Sequence, residues 1–348
     1  MNMKTTIMRN YLLALAIFSL SGNLLLADDI VLKKEHPTKY VIAEGDTLWY
    51  IASRFLRDPW RWPDIWHVNP QISNPDLIYP GDEVELTFKD GKPQLVLRRG
   101  NSKKGKLRTV KLSPKIRKQK LHKAIPTIPV DAIQQFLSHP GVLTEEEIAN
   151  SASIVAFQDN RLISSVGNII YAQNIAPGSN PLFTIVRPGK VYVDTVKGDD
   201  IPLGIEAIYV GEARVNTFGK PTTMVITHSA RETLLGDKLI PAKSQDAAYN
   251  FSPHAPKTQV TGKIISVVEG VSRIGQYHIV VINRGSKHNL EKGHVLAIQQ
   301  KGKVVGDMQL PNVPAGYLML FRVFDRVSYA LVMRASRAIR LSDLVTTP

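Results

Sequence analysis

Nine histidines, thirty acidic residues and no cysteine bound the side-chain chemistry open to this 348-residue chain. The lack of cysteine removes thiol nucleophiles, Cys-based metal sites, disulfides and a lipidated N-terminal cysteine. A zinc hydrolase needs histidines at ligand spacing, and no His-Glu-x-x-His occurs. His288 and His294 flank Lys292-Gly293, a turn signal, and read as surface residues. No Gly-x-Ser-x-Gly elbow is present. Glu145-Glu146-Glu147 follow Thr144 at a helix start, where acids favour the dipole and Thr144 with Glu147 fits a capping box, so the cap outweighs a catalytic acid. His67 and His228 have no evident partner. No residue is assigned to catalysis, and no metal or cofactor is expected; the chain reads as a non-enzyme.

What remains is main-chain chemistry at two Gly-Asp turns. "EGDTLWYIASRF" (44–55) and "NPDLIYPGDEVEL" (74–86) lie close together. The first turn precedes a helical pattern in which Leu48, Ile51, Ala52 and Phe55 form one apolar face, with Asp46 placed to cap it. Asp58-Pro59 breaks that helix. Pro63 suits the first turn of a second, with Trp62, Ile65, Trp66 and Asn69 on one side, and Pro70 ends it. Tyr40–Ile42 is a short β-type run, and Val84, Leu86 and Phe88 alternate as a half-buried strand. Residues 39–88 therefore read as strand, helix, helix, strand.

Gly45-Asp46-Thr47-Leu48-Trp49 and Asn74–Asp82, in this order and spacing, resemble the LysM (lysin motif) domain. The resemblance implies a βααβ fold that binds glycans containing N-acetylglucosamine, such as peptidoglycan or chitin. It places the sugar in a shallow groove between Gly45, Asp46, Thr47 and Leu48 on one wall and Asn74, Leu77, Ile78, Tyr79, Pro80 and Gly81 on the other. The chemistry suits that expectation. An N-acetyl group offers one N–H, one C=O and a methyl; turn backbone supplies the polar partners, and Leu or Ile an apolar rest. Gly45 and Gly81 let a sugar approach the main chain. All four tryptophans fall in this module. Trp66 reads as core, Trp49 more as core than contact, and Trp60 or Trp62 as candidate sugar platforms. The stretch 56–62, "LRDPWRW", is longer and richer in Trp than the family pattern, and is expected to reshape one rim of the groove.

The net charge is +14. Nearly all of it sits in residues 89–123, which hold fourteen Lys and Arg against Asp90 alone, so the rest of the chain is near neutral. A local basic stretch draws polyanions without sequence preference. Lys4, Arg9, the apolar run 11–26 and Ala27 read as a secretory signal over 1–27. An exported protein is thereby expected, in the periplasm or cell envelope and associated with the wall. The polyanions available to the basic stretch are then anionic envelope polymers, and nucleic acid is not an expected partner.

Residues 89–129 read as a basic linker ending in the extended "IPTIP", with Leu95–Leu97 and Val110–Leu112 able to lie against a neighbour as edge strands. Residues 130–152 read as a short helical lead-in. Beyond them short strands and Gly-rich turns repeat. "LFTIVRPGKVYVD" (182–194) parallels "VLAIQQKGKVVGD" (295–307), "GIEAIYVGEARV" (204–215) parallels "GYLMLFRVFDRV" (316–327), and "ARETLLGDKLIP" (230–241) parallels "SRAIRLSDLVTT" (336–347). Two tandem mainly-β modules, 153–241 and 259–348, joined by a polar linker at 242–258, follow, each expected to bury one face. Phrases such as "RPGKVYVD", "EAIYVGEARV", "FSPHAPKTQV" and "FDRVSYALVMRAS" resemble exported bacterial proteins with one LysM and a β-rich C-terminal half, which implies peptidoglycan binding. The fold class is α+β. The expected function is non-catalytic glycan binding that anchors or scaffolds the chain in the envelope, with residues 153–348 offered to an envelope protein. The alternative is a cell-wall hydrolase with an unrecognised catalytic domain in that half.

Overall fold

The computed structural model describes residues 30–66, 78–98, 125–129, 132–137, 141–158, 162–196, 198–242, 251–268 and 274–348. The expected signal segment, Asn69, Asn74, Leu77 and residues 99–124 of the basic linker lie outside the described residues. Among those described, no helix is long and apolar enough to cross a membrane.

The N-terminal module runs β1 (Lys39–Val41), α1 (Leu48–Phe55), a 3-10 turn (Pro59–Arg61), α2 (Trp62–Trp66), β2 (Glu83–Lys89) and β3 (Lys92–Arg98). The expected βααβ order is present, and β3 adds a third strand from the basic stretch. It forms because Asp90 and Gly91, at φ 51° and 76°, make a two-residue turn between Lys89 and Lys92. Two positive φ values match the right-handed twist of the strands they join. Leu48, Ile51, Ala52 and Phe55 of α1 pack on Val84 and Leu86 of β2 and Leu95 of β3. Phe88 departs from the expected alternation and is exposed, because it lies near the hairpin end opposite Pro93.

A lead-in of α3 (Gln134–Leu137), β4 (Val142–Leu143) and α4 (Glu145–Asn150) follows. The Thr144–Glu147 capping box is formed in both directions. The first large sheet holds β4, β5 (Ala152–Phe157), β6 (Ile169–Gln173), β7 (Leu182–Val196), β8 (Asp199–Thr217), β9 (Thr222–Ser229) and β10 (Lys238–Pro241). Because β8 pairs with β9 as well as β7, the pairings close as β5–β6–β9–β8–β7–β10. Next come β11 (Thr261–Val267), β12 (Ile279–Ile282), β13 (Val295–Gln300), a hairpin of β14 (Val304–Val305) and β15 (Met308–Gln309), β16 (Val313–Val323), β17 (Ser328–Ala335) and β18 (Leu344–Thr346). Six of these form a closed barrel, β11–β12–β17–β16–β13–β18.

The order of pairing is the same in both rings, and so are individual bonds. Ile154 and Ile264 each donate to the carbonyl of an Asp, Asp237 or Asp343, at 3.0 Å. Those carboxylates accept from Leu234 N–H and Arg340 N–H, both at 2.8 Å. Arg187 Nη2 donates to Glu232 O, and Gln300 Nε2 to Ala338 O, again both at 2.8 Å.

The first ring encloses Ile154, Ile170, Ile185, Met224 and Ile226. The second ring corrects the expectation of one buried face. Val280, Leu296, Leu318 and Ala330 point inward, whereas Ile279, Val281, Phe321, Tyr329 and Leu331 form a second cluster with Trp49, Trp60, Ile128, Ile133, Tyr192 and Phe251. Residues from the LysM module, the lead-in, β7 and Phe251 cover the outer face of β12, β16 and β17, which is why β12 and β17 are apolar runs rather than alternating strands. The expected linker 242–258 contributes to this cover through Phe251.

Candidate functional site

The two Gly-Asp turns are built alike. Asp46 Oδ2 accepts from Ala43 N–H at 2.8 Å and from the Tyr40 hydroxyl at 2.9 Å. Asp82 Oδ2 accepts from Tyr79 N–H at 3.2 Å. Gly45 and Gly81 take φ of +92° and +94°, the left-handed region that strains a side chain. Main-chain bonds then hold the turns side by side: Gly81 N–H to Ile42 O at 2.8 Å and Ile42 N–H to Asp82 O at 2.9 Å. Asp46 is thus the lock of its own turn and not the helix cap. Thr47 is the N-cap, accepting from Tyr50 N–H at 3.1 Å. Burial, followed by the hydrogen bond to Asp46, pushes the Tyr40 phenol above its usual range.

With Tyr50 N–H capped, α1 still has unpaired amides at its first two residues. Leu48 N–H donates to Pro126 O at 3.1 Å, and Trp49 N–H to Thr127 O at 3.2 Å. On the opposite wall Ile78 O accepts from Ile125 N–H at 2.9 Å. The "IPTIP" segment therefore lies extended between the two turns. Ile125 is buried with Leu48 and Ile78, and Ile128 is fully buried in the cluster that joins the module to the barrel.

Of the residues expected at the site, Gly45 and Gly81 are exposed at the rim, and Tyr79 and Pro80 are half-buried beside them. Asp46 and Thr47 spend their side-chain oxygens on the turn and the cap. Leu48 and Ile78 bury their side chains and present main chain to the groove. Asn74 and Leu77 are outside the described residues. Trp49 N–H and the segment 125–128 were not foreseen as groove groups. The orphan amides of a helix start were the available signal.

Two further expectations are overturned. Trp60 and Trp62 are 8% and 5% exposed, so neither is a sugar platform. Trp60 packs on Tyr317 of β16, ring centroids 4.5 Å apart, and Trp62 meets Trp66 edge-on at 6.3 Å. The stretch 56–62 thus docks the module on the barrel through Trp60. His294 is buried rather than on the surface. Its Nδ1 accepts from Glu291 N–H at 3.1 Å, as Asp oxygens do in the other turns.

His254, Glu291 and His294 bring three ligand-type atoms within 4.8 Å of one another. Because His294 Nδ1 accepts from an N–H, the neutral ring carries its proton on Nε2, 3.4 Å from Glu291 Oε1. In that tautomer this nitrogen has no lone pair for a metal.

The N-terminal module is thus a small α+β unit whose two locked turns frame a main-chain groove, with helix amides on one wall and a carbonyl on the other. Residues 40–87 match the family model of the LysM domain, and the chain carries a LysM domain there. LysM domains are known to bind glycans such as peptidoglycan. A search of curated proteins returns no match to the chain.

Proposed function

We propose that the protein is a non-catalytic wall-binding protein, exported to the periplasm or envelope, whose LysM groove takes an N-acetylated glycan of peptidoglycan or chitin type. The observation that carries this reading is the row of main-chain groups at the two turns. Two helix amides, one carbonyl and the buried Leu48 and Ile78 suit a secondary amide bearing a methyl. That is the chemistry of an N-acetyl sugar, and the groove already receives peptide groups of the same kind. The two β rings are copies of one module, as their common pairing order and matching Asp237 and Asp343 turns support, and they form the part that meets an envelope protein. The basic stretch adds attraction for anionic envelope polymers.

The test is a pull-down of the mature chain on purified sacculi. Gly45→Trp places a bulky ring at the mouth of the first turn, where an added Cβ meets nothing within 4 Å, and also strains that turn's +92° backbone. It should abolish binding at low and high salt while the β half keeps its melting transition. Retained binding that fades as salt rises would instead locate attachment in the basic stretch, since charge attraction is screened over about 10 Å at 0.1 M salt.

A further inference from the structure

We infer that Ile125–Thr127 is an internal ligand of the LysM groove, a strap that a glycan must displace before it binds. This rests on the groove being the glycan site.

The strap offers the groove the same kinds of group as an N-acetyl sugar: an N–H, carbonyls and an apolar side chain. Ile125 gives an N–H to Ile78 O, Pro126 and Thr127 give carbonyls to Leu48 and Trp49, and the Ile125 side chain fills the apolar rest among Leu48 and Ile78. Pro126 has no N–H to leave unpaired and is pre-set for an extended backbone. The segment is anchored on its C-terminal side by Ile128 and Ile133, packed against Phe321 and Tyr329 of the barrel, and by Arg322 Nη1, which donates to Phe136 O at 2.7 Å. A tethered ligand meets its site at an effective concentration far above that of a free sugar. The groove is therefore closed at rest, and its apparent affinity is the intrinsic one reduced by the fraction of molecules with the strap released. Because Ile128 is buried in the same cluster as Trp49 and the barrel residues, release of the strap also loosens the contact between the LysM module and the second ring.

The experiment measures chitotetraose binding to the full mature chain by calorimetry, together with hydrogen exchange. Ile125→Asp cannot keep its carboxylate seated in the apolar rest, and the strap leaves for solvent. A second variant, I125G/P126S/T127G, removes the strap's side chains without adding charge and serves if the first fails to fold. Both variants should bind about tenfold or more tightly than the natural sequence. In the natural sequence, added sugar should speed exchange at residue 125 while slowing it at 48 and 49. Equal affinity in all three proteins, lost on Gly45→Trp, with exchange at residue 125 unchanged, overturns the strap and leaves the groove as the glycan site. Absence of binding in every protein, strap variants included, overturns the groove reading and the strap with it.

Discussion

Asp237 and Asp343 hold equivalent turns with different partners. Asp237 is 2% exposed and receives Leu234 N–H and both Nε and Nη2 of Arg187, at 2.8 and 2.9 Å. Asp343 receives Arg340 N–H and, at 3.2 Å, the neutral Gln300 Nε2. The hydrogen bond to Asp237 leads the causes that raise Arg187 above its ordinary range. Removing Asp237 strands a charge, whereas removing Asp343 strands only an amide. Asp237→Ala should cost about 2–3 kcal/mol, and Asp343→Ala about 1–2 kcal/mol, with the Arg187 figure reduced because its side chain is 32% exposed. Urea denaturation of the two variants checks the order; a larger loss for Asp343→Ala would contradict it. The same acceptor position, three residues after the donor, is filled by Asn168 Oδ1 and by Nδ1 of His278, His288 and His294. A histidine in these turns is a hydrogen-bond acceptor in its neutral form. Consistent with this, burial holds His294 below the usual imidazole range.

At the scale of elements, the helices of the LysM module face two ways. One face of α1 packs on β2 and β3, while Trp49 and the following Trp60 turn toward β16 of the second ring. Trp60→Ala removes the ring that packs on Tyr317. It should cost about 3 kcal/mol of docking between the module and the barrel. Calorimetry should then resolve a separate, lower transition for the module, and a single undivided transition would show that Trp60 does not couple them. Much of this level was legible beforehand. The order of the module's elements, the capping box at Thr144 and the internal parallels at residues 182–241 and 295–347 come from periodicity and turn residues, which act over a few positions. The third strand is expected as an edge strand at Leu95–Leu97, but its partner is not, because the pairing with β2 is decided by the Asp90-Gly91 turn. The destination of Trp60 was not legible, since aromatic residues near a groove and aromatic residues in a docking face have the same composition.

Across the whole molecule, the junction between the rings is sealed by two buried phenols. Tyr192 of β7 and Tyr329 of β17 approach to 3.3 Å; Tyr192 donates to Glu206 at 3.2 Å and Tyr329 to Gly141 O at 2.6 Å. Burial pushes the Tyr329 hydroxyl up to about 12, and burial, then Tyr329, raises Tyr192 further. Both folded values lie above the unfolded one, about 10. The neutral pair therefore contributes fully below about pH 10, and its contribution is lost as pH rises through about 12. The melting temperature should fall over that window, and Tyr192→Phe should flatten the fall; an unchanged slope in the variant would place the alkaline loss elsewhere.

Local features are readable from the order of residues alone. That order sets the two Gly-Asp turns, the helix starts, the LysM module and the paralleled strand phrases, because φ preference, capping and apolar period operate within a few residues. Long-range packing settles that "IPTIP" lies across the groove, that Trp60 faces a barrel and not a sugar, and that β12, β16 and β17 of the second ring are covered on their outer face. Each of these contacts joins groups far apart along the chain. Their pairing depends on which apolar surfaces and orphan amides remain unsatisfied once every local element has formed.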